Sequence, residues 1–229
     1  MFPRAYGTPP AGPPTPARWK TPGARAAAPA TIPRMPSTPA TRLIRAAHTA
    51  DTITVYQAFP PEIAEPAAAE GRFPEAFKRD RMTWIKPSFL WMMHRSDWGR
   101  SPGQERVLAL EISREGFDWA LERAVLSAYT GRVHDSQAAW KRELRQSPVR
   151  VQWDPERDLH LRPLDHRAVQ VGLRGEAVRR YADEWIRRIS DVTALAERVR
   201  VGRDPGLLPV ETAYPVGAAV AARLGAATV

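Results

Sequence analysis

The sequence predicts an α+β fold, a single mixed-sheet domain flanked by helices with a disordered N-terminal tail. Three observations lead there. Runs of strand character (TITVYQAF, VLALEIS, VRVQW) alternate with stretches of helical period. The late strands follow one another without a helix between each, which separates the pattern from a strictly alternating α/β chain. Finally, residues 1–41 hold eleven of the 23 prolines and few large apolar groups, so that stretch lacks the means to offset its ordering entropy.

The elements follow in order. TITVYQAF (52–59) alternates and stops at Pro60-Pro61, a strand and then a break. EIAEPAAAEG (62–71) reads as a short helix bent at Pro66 and ended by Gly71. RMTWIKPS (81–88) is a strand with Met82, Trp84 and Lys86 on one face, Thr83 and Ile85 on the other. A helix through SFLWMMHRSDW follows, with Pro87 in its first turn and Ser88 thereby displaced from a clean N-cap. Trp91, Met92 and Met93 are expected in the core, Trp84 and Trp98 at a surface or cleft. VLALEIS (107–113) is apolar enough for a central strand, and its Glu111 needs a partner, with Arg114 nearest.

FDWALERAVLSAY (117–129) has helical period, and a polar link rich in Arg and Gln leads on to VRVQW (149–153). DPERD reads as a turn, LHLRPL and RAVQVGL as one or two further strands, and 175–199 as one long amphipathic helix. The domain therefore covers 42–201, with 202–229 a loose C-terminal tail. Met35 is an alternative start that would leave the domain intact.

Charge is unevenly placed. Seven of the 34 basic side chains fall within the first fifty residues, where there is no acid, leaving 27 basic against 25 acidic groups in the rest. The high isoelectric point thus belongs largely to the tail, and net charge alone does not indicate a nucleic-acid face. Cysteine is absent, which excludes disulfides and thiolate chemistry and fits a reducing compartment, so a cytoplasmic location is expected. No apolar run reaches membrane-spanning length.

The motif search excludes several chemistries. No two of the five histidines have the i, i+4 spacing of a helical metal site, and His160 and His166, near Asp158 and Asp165, read as solvated turn residues. P-loop, Rossmann and nucleophile-elbow patterns are missing. What remains is Lys86 beside Trp84. Lysine is scarce here, four against thirty arginines. A lysine stem against tryptophan suits a phosphate or carboxylate clamp, or a nucleophile activated by partial burial. The bland alternative is a packed strand–helix unit with an exposed cation.

VYQAF, RMTWIKPSFLWMM, GQERVLALEISREGF, VQWDPER, RAVQVGL and the YADEWI–DVT ending together resemble the domain-of-unknown-function 4291 family over about residues 44–193. That resemblance implies no assigned activity. The order of elements is also similar to the ADP-ribosyltransferase arrangement, which implies NAD as the cofactor to test first. On that resemblance Tyr56 or Gln57, Thr83, Ser88 and Gln170 would take the positions that face the cofactor; from residue type, Arg81 and Lys86 would hold its phosphates and Trp84 would stack on its base or nicotinamide, with Lys86 and Gln170 the candidate catalytic residues. The Ser-Thr-Ser triplet is absent, and Gln170 stands where a catalytic glutamate would be. The leading expectation is thus a nucleotide- or NAD-binding, transferase-like domain with a nucleotide-like small molecule as partner. The alternatives are a module binding RNA or single-stranded nucleic acid, and a protein-interaction domain.

Overall fold

A computed structural model describes residues 42–228; the expected tail over 1–41 lies outside the described residues. In chain order the elements are β1 (Arg45–Ala46), β2 (Thr52–Phe59), α1 (Pro61–Glu70), β3 (Thr83–Ile85), α2 (Phe89–Ser96) and β4 (Arg106–Ser113). Then come α3 (Arg114–Glu122), β5 (Ala124–Leu126), α4 (Gln137–Gln146), β6 (Val149–Arg157) and β7 (Pro163–Leu173). The remainder comprises α5 (Glu176–Arg180), a π-helical turn (Tyr181–Trp185), β8 (Ile186–Asp191), α6 (Thr193–Gly202), a 3-10 turn (Pro205–Leu207), β9 (Thr212–Ala213) and α7 (Ala218–Leu224). The fold is α+β, as the sequence predicts.

The strands form a sheet of order β2-β4-β8, another of order β3-β7-β6-β5, and a small β1-β9 pair. All pairings are antiparallel except β5 with β6. An isolated bridge between Tyr56 and Lys86 links the two larger sheets. One apolar cluster spans both sheets, with Val55, Leu110, Val151 and Val171 fully buried. A second gathers Tyr56, Phe89, Met92, Met93 and Trp98 under α2.

β2 and β4 fall where alternation and apolarity place them, and β4 is the central strand of its sheet. In α1, Pro60 precedes the helix and Gly71 closes it in the left-handed conformation, φ 69°. Five sequence expectations are corrected by tertiary pairing. Helix α3 ends at Glu122, and Ala124–Leu126 becomes β5 alongside β6 with all three residues buried. The polar link contains α4, an amphipathic helix whose Trp140 donates its indole N–H to Leu126 O at 2.8 Å. DPERD does not turn: β6 runs to Arg157, with Pro155 beyond the stretch paired by β5 and beside a register shift. The long helix expected over 175–199 breaks into α5, the π turn, β8 and α6, because β8 completes the sheet edge of β4 with Ile189 buried and Arg187 and Arg188 exposed. Gly116 makes room for that turn, since a Cβ there would lie 2.4 Å from Trp185 Cγ.

The fifth correction concerns the C-terminal segment. Residues 202–228 are not loose: β9 pairs with β1, and Tyr214 and Leu224 have no exposed surface. The Tyr214 hydroxyl donates to Asp118 at 2.7 Å while the Arg114 guanidinium lies 4.9 Å over its ring. Glu111 accordingly pairs not with Arg114 but with Arg188, its cross-strand neighbour, at 3.6 Å.

Candidate functional site

A cleft of about 550 Å³ opens between β2, the start of α1, the 71–82 segment and β3. Its size is that of a small-molecule pocket. Three cations reach it from two places: Lys78 and Arg81 from the segment before β3, and Lys86 from just after it. Trp84, Phe77 and Met92 give it apolar walls.

β3 places the first group of side chains. Its register on β7 sets Trp84 opposite Gly172. The Trp84 ring lies across that strand, and a Cβ on Gly172 would come within 3.0 Å of the ring and 2.9 Å of Met82 Sδ. Only glycine lets the indole lie this close. Thr83 and Gln57 meet behind it: Gln57 Nε2 donates to Thr83 Oγ1 at 2.7 Å and to Trp84 O at 3.2 Å. Gln57 Oε1 in turn accepts from the Tyr181 hydroxyl at 2.7 Å. The Gln57 amide thus ties β2, β3 and the π turn together at the cleft floor.

Lys86 is 8% exposed, and its ammonium nitrogen donates to Trp84 O at 3.1 Å. The carbonyl of Trp84 therefore accepts from Gln57 and Lys86 alike. Burial lowers the Lys86 pKa most; the Arg95 guanidinium lowers it further and Asp154 partly opposes them, leaving it at about 7. Lys86 forms no ion pair among the described residues. Asp154 is itself held from two sides, accepting from Gln152 Nε2 at 2.9 Å and from Gln170 Nε2 at 2.7 Å. His94, from α2, has its pKa lowered by burial and by Arg157 and Arg95, with Asp154 opposing.

The structure therefore brings Gln57, Arg81, Thr83, Trp84 and Lys86 to one cleft. Gln170 is not among the lining residues; it lies one step along the β3–β7 register from Val171, with its amide engaged by Asp154. Tyr56 is buried under α2, edge-on to Phe89 at 5.4 Å, and burial raises its phenol pKa strongly. Ser88 is the true N-cap of α2, accepting from Trp91 N–H at 3.2 Å, because Pro87 stands outside the helix. Trp98 is core, not cleft: it is 4% exposed beneath Arg203.

Two parts of this arrangement escape the sequence reading. Lys78 shares the scarcity that singles out Lys86, and that signal alone would have flagged it. Asp154 and Gln152 share one strand face at i and i+2, a signal hidden by reading Asp154-Pro155 as a turn. A pair of buried carboxylates lies apart from the cleft. Glu211, just before β9, accepts from Phe89 N–H at 2.6 Å, and burial with the neighbouring Glu156 pushes its pKa up to about 8 despite that bond.

Among the described residues no group of three or more His, Asp or Glu side chains is placed to hold a metal ion. No described helix is long and apolar enough to cross a membrane. No curated protein matches the chain. A family model does match, over residues 43–209, and so takes in both sheets, the cleft and the segment as far as the 3-10 turn. The chain belongs to the family described as Domain of unknown function (DUF4291).

Proposed function

We propose that the domain binds a nucleotide in the cleft beside β3 and acts on it as a transferase-like catalyst, with NAD the first ligand to test. The observation that carries this reading is the grouping of Lys78, Arg81 and Lys86 with the Trp84 and Phe77 rings in one pocket of nucleotide-compatible size. Cations and an aromatic face are the two features a phosphate-bearing base requires. Arg81 and Lys78 take the phosphates, Trp84 stacks on the base or nicotinamide, and Lys86 faces the reacting end. Gln57 and Thr83 brace the floor. Gln170 acts through Asp154 on Lys86 as a positioning residue, while Tyr56 and Ser88 support the strand and helix that carry the site. Rate enhancement then rests on positioning and electrostatics.

Thermal-shift titration with NAD, ATP, GTP and short RNA tests the reading. A ligand at a hundred times its Kd adds about 2.7 kcal/mol of stability. A saturable NAD or mononucleotide shift that disappears in Arg81→Gln supports it. A response to RNA alone, erased by salt, would replace it with a nucleic-acid-binding module. No response to any of the four would turn attention to a protein partner.

A further inference from the structure

Binding phosphates through Lys78 and Arg81 does not account for the burial of Lys86, a primary amine with no ion-pair partner among the described residues. Lys86 Nζ sits in the cleft wall with one protein acceptor, the carbonyl of Trp84 at 3.1 Å. The carboxylate that acts on it, Asp154, has an oxygen committed to each of two glutamine amides. Arg95 from α2 and Asp154 from β6 act on Lys86, Arg157 of β6 acts on the neighbouring His94, and Glu62 of α1 lines the same cleft. Cations are in excess. Desolvation and a neighbouring cation are the two devices that make a lysine amine nucleophilic at neutral pH, and both operate here. The same cleft carries Arg81 and Lys78, which would receive an anionic group on whatever the amine attacks.

We propose that Lys86 forms an imine with the carbonyl carbon of a small anionic aldehyde or ketone bound in this cleft. The neutral amine adds its lone pair to the carbonyl carbon, giving a carbinolamine. The carbinolamine then loses the former carbonyl oxygen as water, which carries away both amine hydrogens as the C=N bond forms. No oxidant or reductant takes part. The substrate class is a carbonyl compound bearing phosphate or carboxylate, with the anion on Arg81 and Lys78 and the carbonyl at Lys86. This rests on the reading of the cleft as an anion-accepting site, but does not need the ligand to be a nucleotide.

The test uses the full chain and pyridoxal 5′-phosphate, an aldehyde that carries a phosphate, with cyanoborohydride to reduce any imine to a stable secondary amine. Besides the terminal amine the chain offers Lys20, Lys78, Lys86 and Lys141, so peptide mapping assigns each adduct. The expected result at pH 7 is label on Lys86 at least about tenfold faster than on Lys78 or Lys141, since burial and Arg95 leave Lys86 with a large neutral fraction there. Its rate should rise through about pH 7, where the Lys86 amine loses its proton. Arg81→Gln should slow labelling by pyridoxal 5′-phosphate several-fold more than labelling by uncharged pyridoxal, a comparison that does not depend on a Lys86 variant folding. Label spread evenly over the lysines, or no label on Lys86, would overturn the proposal. A nucleotide-induced thermal shift without trapped Lys86 defeats the imine and spares the nucleotide reading. Trapped Lys86 without any nucleotide response does the reverse.

Discussion

Tyr56 and Lys86 exchange two backbone hydrogen bonds, Tyr56 N–H to Lys86 O at 2.8 Å and Lys86 N–H to Tyr56 O at 3.2 Å. This residue pair is a backbone bridge between the β2-β4-β8 sheet and the β3-β7-β6-β5 sheet. The pairing fixes the Lys86 backbone from both sides, so its side chain is aimed by the junction and not by a mobile loop. A buried lysine is costly, and here the fold holds it in place.

That cost yields the first prediction. Below about pH 7 Lys86 is protonated in the folded and unfolded chain alike, so its full burial penalty is present. Between about pH 7 and its ordinary value of 10.5 the unfolded chain binds the extra proton, so this site makes stability rise with pH. Lys86→Met, which keeps the volume, should therefore raise the unfolding free energy read from urea titration most at pH 6, by about a few kcal/mol, and progressively less toward pH 10. An advantage that does not vary with pH would contradict the lowered pKa.

Glu211 has the opposite sign. Its raised pKa means that the folded chain holds a proton the unfolded chain has released between its ordinary 4.5 and about 8. Stability from this site is fully present below 4.5 and lost as pH rises through 8. Glu211→Gln keeps an acceptor for Phe89 N–H, so the variant should gain on wild type by a few kcal/mol between pH 5 and pH 8.5. Chemical denaturation at the two pH values reads the difference directly.

Gly172→Ala should reposition Trp84. The added methyl meets the indole and the Met82 sulfur at 3.0 Å or less, and overpacking of this kind costs about 1–3 kcal/mol. If Trp84 forms part of the binding surface, ligand affinity should fall by more than the stability loss accounts for. Isothermal titration beside urea unfolding separates the two effects.

Gln57→Leu should strand the buried Tyr181 hydroxyl, which donates to Gln57 Oε1. An unsatisfied buried group costs about 1–3 kcal/mol. Equilibrium unfolding should register that loss, and a variant as stable as wild type would mean that the hydroxyl finds another partner.

Tyr214→Ala should cost about 3–5 kcal/mol by removing a fully buried aromatic. Removing residues 210–229 should destabilise at least as much, since that takes away β9, Tyr214 and Leu224 together. Guanidinium melts of both variants check this.

Legibility followed locality. TITVYQAF, VLALEIS and the helix after Pro60 could be read directly because alternation, apolarity and Gly71 act within the segment itself. Residue type and strand position single out Arg81, Trp84 and Lys86 in the sequence, while Gln57 and Thr83 rest on a resemblance; that the five line one cleft follows from β2 lying against β3. Gln170 was placed on a strand, but its commitment to Asp154 depends on a pairing between β6 and β7 that no single segment encodes.

The sequence by itself determined the fold class, the earlier strands and the grouping of cations and tryptophan in RMTWIKPS, because period, proline and glycine placement and lysine scarcity are properties of the chain. Only the tertiary structure decided that AVL is a strand, that 186–191 leaves the helix to complete the edge of β4, and that the C-terminal segment returns to pair with β1. The physical reason is that a helical period scores one segment's own faces. A buried edge offering unpaired N–H and C=O groups outweighs that preference whenever another segment can satisfy them.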